Sequence, residues 1–384
     1  MRLAYIIPSL RNPSGWRSHA TSFLYAIRSL VEPVLFVAGE DYPEAEKLFP
    51  GWEIVQLPTT QRSAAGSERG ASRLINCYWH IHRSHFPDVD LVHSLEAYPT
   101  GLVGHWLAQR MGKPHVITIH GTYGVIWRQR RIDRPLYEAV LRRARMIYPV
   151  SNGTARLLQE NFGSAIKKTR IEPILNGNDY WKQVRPSQAL DRRMPETPTI
   201  LSVGDVKPRK GYHVCLESYA IVKSGLPAVR YLIAGQVRQN SYNAQLQQTI
   251  KDRRLADITF LGSLPADELS RLYQASSVFF LAPQQEGLQF EGFGLVFLEA
   301  GAYGLPVVAT RTGGVPEAVQ DGTTGLLAEP GDSQGLAQAL LRLLTEPDLA
   351  RELGRANRHH AETLTWERNA AEQFRAYQEA LGAA

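Results

Sequence analysis

The sequence has little cysteine and no long apolar run. Its 384 residues include two cysteines, Cys77 and Cys215, which fall in different predicted domains. We therefore expect no disulfide framework, which fits a reducing cytoplasm. No run of about 18 apolar residues occurs, so no transmembrane helix is expected. The apolar stretch at the N-terminus leads into Pro8 and is too short for a signal peptide, which favours a cytoplasmic protein.

Several nucleotide-binding and catalytic motifs are also absent. The chain has no Gly-x-Gly-x-x-Gly fingerprint, no phosphate-loop lysine motif and no nucleophile elbow. These absences argue against a dehydrogenase, a kinase and a hydrolase. No fixed-period repeat or low-complexity tract is present either, so a solenoid is not expected.

The positive charge is concentrated in the first half of the chain. Residues 1–190 carry 24 lysines and arginines against 15 acids, a net charge of +9, whereas residues 191–384 carry 19 against 22, a net charge of −3. Seven arginines lie within Gly121–Tyr148, and the plain interpretation of this segment is a solvated helix face. The alternative is a surface for anionic membrane lipid or a phosphate-bearing acceptor, which would place the protein peripherally at the inner face of the membrane. Nucleic acid is not expected, because no binding motif accompanies the charge. The candidates for lipid contact are Arg128, Arg130 and Arg131.

Short apolar runs alternate with helical patterns along the whole chain. This alternation predicts an α/β protein with parallel sheets covered on both faces. A chain of this length exceeds a single core, so we predict two domains, 1–185 and 186–366, with a proline-rich linker over Val184–Pro198. The predicted strands are Leu3–Ile7, Val34–Val37, Ile54–Gln56, Leu91–His93, His115–His120, Met146–Val150, Thr199–Val203, Arg230–Ala234, Ile258–Leu261, Val278–Leu281, Val307–Ala309 and Gly325–Leu327.

The most informative segment runs from Glu291 to Glu299. The first acid is followed directly by Gly292, Phe293 and Gly294, and an apolar run then leads to the second acid. Glycines let backbone N–H groups approach a ligand closely, and a helix N-terminus favours an anion. Carboxylates can bind hydroxyl groups on either side of that anion. These parts suit a nucleotide sugar, with its diphosphate between two sets of hydroxyls.

Further motifs in a fixed order extend this signal over about 330 residues of the chain. The ordered set resembles the pattern of glycosyltransferase family 4, the retaining group 1 glycosyltransferases with the GT-B fold. The matching motifs are Ser14-Gly15, Thr118-Ile-His120-Gly121, Asn176-Gly-Asn-Asp179, Ser202-Val-Gly204, Pro208-Arg-Lys-Gly211, Glu291-Gly-Phe-Gly-Leu-Val-Phe-Leu-Glu299, Gly304-Leu-Pro306, Thr312-Gly-Gly-Val-Pro-Glu317 and Gly325-Leu-Leu.

The resemblance implies two Rossmann-like doubly wound domains facing a central cleft, with a last helix at about 367–384 that packs back onto the first domain. It implies transfer of a hexose from a nucleotide-diphosphate sugar to an acceptor hydroxyl, with retained configuration and without metal or cofactor. A UDP-sugar is slightly preferred over a GDP-sugar as donor. The acceptor would be a sugar or a lipid-linked molecule, in the synthesis of a glycan, polysaccharide or glycolipid.

The resemblance also implies roles for individual residues. It makes His120, Lys210 and Glu291 catalytic. One departure concerns phosphate binding: Asp205 stands where the family usually has an arginine, so Lys207 or Arg209 would have to take its place. The implied donor-binding residues are Gly15, Gly204, Arg209, Lys210, Glu291, Gly292, Phe293, Gly294, Leu295 and Glu299.

Two rivals to a transferase remain open at this point. A nucleotide-sugar epimerase or a sugar phosphorylase on the same fold would use the same donor site. A non-catalytic binding protein is suggested only by Asp205.

Asp88 and Asp90 match the metal-binding Asp-x-Asp pattern of other glycosyltransferases, but they precede an unrelated strand, so we expect no metal site.

Overall fold

The computed structural model describes residues 1–11, 15–58, 68–190 and 195–382. Ser14 and part of the predicted linker lie outside the described residues. The chain divides into two compact units, one of Met1–Gly177 with Trp366–Ala384 and the other of Asn178–Thr365. The structure thus divides the chain at 177/178 and at 365/366, where the sequence predicts 185/186 and 366/367.

Unit 1 is built on a seven-stranded parallel sheet in the order β3-β2-β1-β4-β5-β6-β7. Its strands are β1 (Arg2–Ile6), β2 (Glu32–Ala38), β3 (Glu53–Leu57), β4 (Leu91–Ser94), β5 (His115–Ile119), β6 (Met146–Pro149) and β7 (Arg170–Ile171). Its helices are α1 (Gly15–Ile27), α2 (Tyr42–Leu48), α3 (Glu68–Arg83), α4 (Thr100–Met111), α5 (Asp133–Arg143), α6 (Asn152–Ile166) and α15 (Trp366–Ala380).

The sheet of unit 1 is covered on both faces. All five residues of β5 are buried, as expected for a central parallel strand rich in β-branched residues. One face packs against α1 and α15, through a core that includes Phe23, Trp366 and Tyr377. The other face packs against α3 and α4, through a core that includes Cys77 and Leu107. The last helix therefore completes the hydrophobic core of unit 1.

Unit 2 is built on a six-stranded parallel sheet in the order β10-β9-β8-β11-β12-β13. This is the strand order of a dinucleotide-binding Rossmann domain. Its strands are β8 (Thr199–Val203), β9 (Arg230–Ala234), β10 (Ile258–Gly262), β11 (Val278–Phe280), β12 (Val307–Thr310) and β13 (Gly325–Ala328). Its helices are α7 (Pro186–Leu190), α8 (Tyr212–Gly225), α9 (Ser241–Asp252), α10 (Ala266–Ala275), α11 (Leu295–Ala302), α12 (Val315–Ala318), α13 (Ser333–Thr345) and α14 (Pro347–Thr363).

The structure confirms the two parallel α/β domains and every predicted strand within one or two residues. The short edge strand β7 was not predicted, because two residues give no readable pattern. The predicted linker contains the helix α7, which begins at Pro186. Proline is tolerated in the first turn of a helix, since the N–H that it lacks has no partner there.

Both sheets contain a point at which the strand order reverses, between β1 and β4 in unit 1 and between β8 and β11 in unit 2. The loops that leave these two neighbouring strands run in opposite directions, which opens a crevice beyond the carboxyl ends of the strands. Ligands of doubly wound sheets bind in this crevice. Each unit therefore offers one expected ligand position.

Candidate active site

The candidate donor site lies at the reversal point of unit 2. Gly204 directly follows β8, and a short 3-10 turn of residues Pro208–Lys210 leads into α8. The loop after β11 contacts that turn, since the backbone N–H of Gln284 donates to the carbonyl of Arg209 over 2.9 Å. Gly211 permits this approach, because it has φ +71° and a Cβ there would lie 1.6 Å from the carbonyl oxygen of Ala282.

One carboxylate oxygen joins three of the predicted residues in this site. Oε2 of Glu291 lies 2.7 Å from Nζ of Lys210 and 2.7 Å from a guanidinium nitrogen of Arg209. Glu291 and Lys210 are buried, at 8% and 9% exposure. The backbone carbonyl of Glu291 accepts from the N–H of Gly314 after β12. Loops from three strands therefore converge on a single cluster of charges.

The charges in this cluster shift one another's pKa. Burial works to raise the pKa of Glu291, but the neighbouring charges of Lys210 and Arg209 outweigh it and hold that pKa below its usual value. Burial lowers the pKa of Lys210, and the carboxylate of Glu291 opposes this change. The cluster carries two positive charges against one negative charge, so it retains a net attraction for an anion.

The unusual acid Asp205 is turned toward solvent. Its carboxylate pairs with Nζ of Lys207 at 2.7 Å, and both side chains are about 40% exposed. Beside a diphosphate an acid is unfavourable unless it points away or pairs with Arg209, and Arg209 pairs with Glu291 instead. Of the two candidates to replace the missing arginine, Arg209 is the one that stands beside Lys210.

The glycine loop then opens the helix α11. Gly294 precedes the helix with φ +91°, and a Cβ at this position would lie 2.6 Å from the ring of Phe297. Phe293 is buried, and Leu295 is the first helical residue. The residue at the N-cap is a glycine, which has no side chain to cap the helix. Backbone N–H groups at such an end favour a bound anion.

Glu299 lies on α11 among tyrosines rather than cations. Burial raises the pKa of its carboxyl to about 7, and the hydroxyl of Tyr273 opposes this rise. The charge of Glu299 also acts on Tyr180 and Tyr303. Among the described residues no lysine or arginine lies within ion-pair distance of Glu299. Such a carboxyl can bind two vicinal hydroxyls once it ionises.

The predicted residues Gly15 and His120 belong to unit 1. Gly15 begins α1, and His120 directly follows β5. The ring of His120 packs edge-on against His19 with 4.3 Å between ring centroids, and His19 packs against Trp366. Burial, with the charge of His19 added, lowers the pKa of His120 well below its usual value. A neutral His120 can exchange a hydrogen bond with a hydroxyl but supplies no positive charge near neutral pH.

The two aspartates of the Asp-x-Asp pattern are engaged by other groups. Asp88 pairs with Lys113 at 3.1 Å, and Asp90 accepts from the backbone N–H of Arg2 at 2.8 Å. Over the described ranges, no group of three or more histidines, cysteines and acids is arranged to hold a metal ion. The same ranges contain no helix long and apolar enough to cross a membrane.

Two residues of unit 1 were not singled out by the sequence. His19 is buried in the first turns of α1, and Glu96 lies just after β4. For Glu96 a signal existed, since this acid lies two residues beyond the end of the buried strand β4. For His19 no sequence signal exists, because only the fold brings it against His120.

Two family models match the chain, one after the other. The model described as "Glycosyltransferase Family 4" matches residues 15–180, and the one described as "Glycosyl transferases group 1" matches residues 190–360. An uncharacterized glycosyltransferase of Methanocaldococcus jannaschii is 28% identical over 78% of each chain. A GDP-mannose-dependent alpha-(1-6)-phosphatidylinositol monomannoside mannosyltransferase of Mycolicibacterium smegmatis is 27% identical over 84% of this chain and 82% of that protein.

Solved structures share the fold along the whole chain. Sucrose-phosphate synthase from Thermosynechococcus elongatus superposes with a TM-score of 0.76 at 22% identity, covering 100% of both chains. Anabaena HepE in complex with UDP and glucose gives 0.74 at 19% identity, covering 99% of this chain and 100% of that one. The chain therefore belongs to family 4 of the group 1 glycosyltransferases, and it is a glycosyltransferase with two Rossmann-like domains of the GT-B fold.

Proposed function

We propose that the protein transfers a hexose from a nucleotide-diphosphate sugar to an acceptor hydroxyl, with retained anomeric configuration and without a metal ion. The observation that carries this proposal is the cluster of Lys210, Arg209 and Glu291 beyond the carboxyl ends of β8 and β11. Two cations beside a helix N-terminus suit a diphosphate. A carboxylate within the same cluster suits the hydroxyls of the transferred sugar.

Catalysis in this proposal is electrostatic. The bond between the anomeric carbon and the diphosphate oxygen breaks, and its electron pair stays on the diphosphate. Lys210 and Arg209 stabilise the charge that develops there, which is the task of a metal ion in other enzymes. The acceptor oxygen bonds to the anomeric carbon from the same face, and its proton passes to the departing diphosphate. His120 and Glu291 would orient the transferred sugar.

We retain a UDP-sugar as the slightly preferred donor, which agrees with the UDP-bound structures of HepE. The mannosyltransferase of M. smegmatis is described as GDP-mannose-dependent, so GDP-mannose is the competing donor. Glu299 would bind the ribose hydroxyls, which the two donors have in common.

Contact with anionic membrane lipid is part of the proposal for unit 1. Arg128, Arg130 and Arg131 are all exposed. The acid Asp133 beside them is buried and accepts a hydrogen bond from Tyr98. The neighbouring Ile132 is 58% exposed, which adds an apolar contact. Basic and apolar side chains together suit a lipid headgroup region.

A donor panel with product analysis tests this proposal. The purified protein is incubated with UDP- and GDP-sugars, a set of glycoside and cyclitol acceptors, and EDTA. A new glycosidic product is expected from one donor. Free sugar or sugar phosphate as the main product would indicate the phosphorylase or epimerase alternative, and donor binding without any turnover would indicate a binding protein.

A further inference from the structure

A buried arginine on α14 of unit 2, Arg358, is a cation that the proposed reaction does not use. It is 2% exposed, and a buried guanidinium destabilises a protein unless its donors find partners. Its Nε donates to the carboxylate of Glu362 over 2.6 Å. Its other two nitrogens donate to backbone carbonyls. Arg358 therefore joins α14 to the segments that carry those carbonyls.

These carbonyls belong to two separate segments of unit 2. Nη1 of Arg358 donates to the carbonyl of Ala302, the last residue of α11. Nη2 lies 3.1 Å from the carbonyl oxygen of Trp181 and 3.3 Å from that of Val184. Trp181 is part of a 3-10 turn over Tyr180–Gln183. The rigid fork of one guanidinium thus ties the C-terminal end of α11 to this turn.

Both segments border the carboxyl group of Glu299. Glu299 lies on α11, in the turn of helix that ends at Ala302. Burial raises the pKa of Tyr180, the first residue of the 3-10 turn, and the charge of Glu299 adds to this rise. The position of Glu299 relative to Tyr180 therefore depends on how α11 and the 3-10 turn are held together.

The helix α14 also fixes the end of α11 through Asn357. A Cβ at Gly301 would lie 2.8 Å from the backbone oxygen of Asn357, so the two helices are in close backbone contact. The side-chain amide of Asn357 donates to the carbonyl of Leu305 over 2.8 Å. A helix of eight residues such as α11 depends on such tertiary contacts, and a cation at its C-terminal end stabilises it further.

We propose that Arg358 is a positioning residue for the carboxylate of Glu299 that would bind ribose. By holding the end of α11 against the 3-10 turn, it orients Glu299 so that the carboxylate accepts from both ribose hydroxyls, which hydrogen-bond geometry allows only over a narrow range. This inference rests on the proposed function, which assigns the ribose to Glu299. Lys210 and Arg209 follow β8, outside the segments that Arg358 holds.

Calorimetric binding of UDP, 2′-deoxy-UDP and pyrophosphate to the full chain tests this inference. The measurement is made at pH 8, because the pKa of Glu299 is raised to about 7. The parent should bind UDP about tenfold more tightly than the deoxy form, the usual effect of one hydrogen bond to a charged group. GDP and 2′-deoxy-GDP replace the uridine pair if the protein binds GDP more tightly than UDP.

Two variants of Arg358 separate a positioning role from a purely structural one. Arg358→Met removes the guanidinium, so the preference for UDP over its deoxy form should fall below about threefold. Its affinity for pyrophosphate should stay within about threefold of the parent. Arg358→Lys keeps the charge but lacks the fork that reaches two segments at once, so its preference should lie between those of the parent and Arg358→Met. It provides the test if Arg358→Met does not fold.

Tyr219→Phe is the matched control, because it also removes a buried donor to a backbone carbonyl of unit 2. The hydroxyl of Tyr219 on α8 donates to the carbonyl of Ala256 over 2.8 Å. Both Tyr219→Phe and Arg358→Met should lower the melting temperature. Only Arg358→Met should lose the preference for UDP over its deoxy form.

Three results would overturn the inference. They are a preference equal to that of the parent in every folded Arg358 variant, an equal loss of affinity for all three probes, and loss of the preference in Tyr219→Phe as well. A parent that binds UDP and its deoxy form equally would remove ribose from Glu299, and the inference with it. Failure of the proposed function has a different signature, since the parent would then bind neither UDP nor GDP.

Discussion

Glu291 places a single carboxylate oxygen 2.7 Å from the ammonium nitrogen of Lys210, and Arg209 reaches the same oxygen at the same distance. A phosphate oxygen has the charge and the hydrogen-bonding capacity to take that position. In the proposed donor complex, the diphosphate would therefore compete with Glu291 for these two cations. Once the cations bound phosphate, the carboxylate of Glu291 would become available for a sugar hydroxyl.

The first prediction concerns this competition. Glu291→Gln leaves two cations without their partner, and loss of one member of a buried pair destabilises a protein by roughly 3 kcal/mol. The melting temperature should fall. UDP should then stabilise the variant more than it stabilises the parent, because its phosphates restore the missing negative charge.

Calorimetric melting with and without UDP checks this prediction, with Glu268→Gln on the exposed surface of α10 as the control. The control should match the parent in both conditions. An equal or smaller UDP shift in Glu291→Gln would show that the diphosphate does not use the cations of this cluster.

The second prediction concerns the replacement of the missing arginine. Arg209→Met should lower kcat about 100-fold, the usual effect of removing one group that stabilises the developing charge. Lys207→Met removes the same charge from a solvent-exposed pair with Asp205. It should lower kcat less than about fivefold. Steady-state kinetics of both variants show which residue replaces the missing arginine. A larger fall in kcat for Lys207→Met than for Arg209→Met would assign that role to Lys207.

The third prediction concerns pH and Glu299. Its pKa in the folded protein is raised to about 7, so the folded state holds this proton after the unfolded chain has lost it. The free energy of unfolding therefore includes a contribution from the protonated Glu299 that is present in full below the usual carboxyl pKa. This contribution is lost as pH rises through about 7. The loss is at most about 3 kcal/mol, because Glu299 is partly exposed.

Urea unfolding of the parent and of Glu299→Gln from pH 4 to pH 8 measures this effect. The difference in free energy of unfolding should change in favour of the variant as pH rises through about 7. It should level off about one pH unit higher, where Glu299 is ionised in both the folded and the unfolded chain. A difference that does not vary with pH would show that Glu299 titrates as an ordinary exposed acid.

Glu299→Ala should weaken donor binding, measured by calorimetry, if the carboxylate contacts ribose.

Patterns within short segments predicted the fold of this chain well. Runs such as Thr199–Val203 and Val307–Ala309 lie between glycines, prolines and polar turns, and such boundaries mark buried strands in a parallel sheet. Gly294 marks the start of α11 because only a glycine tolerates its backbone conformation. Each of these signals depends only on neighbouring residues, so it can be recognised before the rest of the fold is known.

The charge pairing within the site could not be predicted in the same way. Glu291 pairs with Arg209 across 82 positions of sequence, through loops that follow different strands. The partner of Asp205 depends on the direction of its side chain in a turn, and the sequence left that direction open. Glu96 lies near the end of β1 only because the strand order β3-β2-β1-β4 places β4 beside β1.

The fourth prediction concerns the arginines of unit 1. Replacement of Arg128, Arg130 and Arg131 by serine should reduce sedimentation with anionic vesicles, since each basic residue near such a surface contributes about 1 kcal/mol. Donor binding should be unchanged, because Lys210 and Glu299 belong to unit 2. Vesicle binding of the parent should weaken as salt is raised.

The matched control replaces Lys251, Arg253 and Arg254 by serine, which removes the same charge from an exposed segment of unit 2. This control should sediment like the parent. If both triple variants lose binding equally, net charge rather than the arginine surface is responsible. If the parent does not sediment at all, these arginines are a solvated face.

The proposed reaction is retaining, metal-independent transfer from a nucleotide-diphosphate sugar. NMR of the product formed in EDTA from an α-linked donor tests it, through the coupling constant of the new anomeric proton. We expect an α-linked glycoside, full activity in EDTA, and loss of the product in Lys210→Ala. A β-linked product, an absolute requirement for manganese, or free sugar as the main product would contradict it.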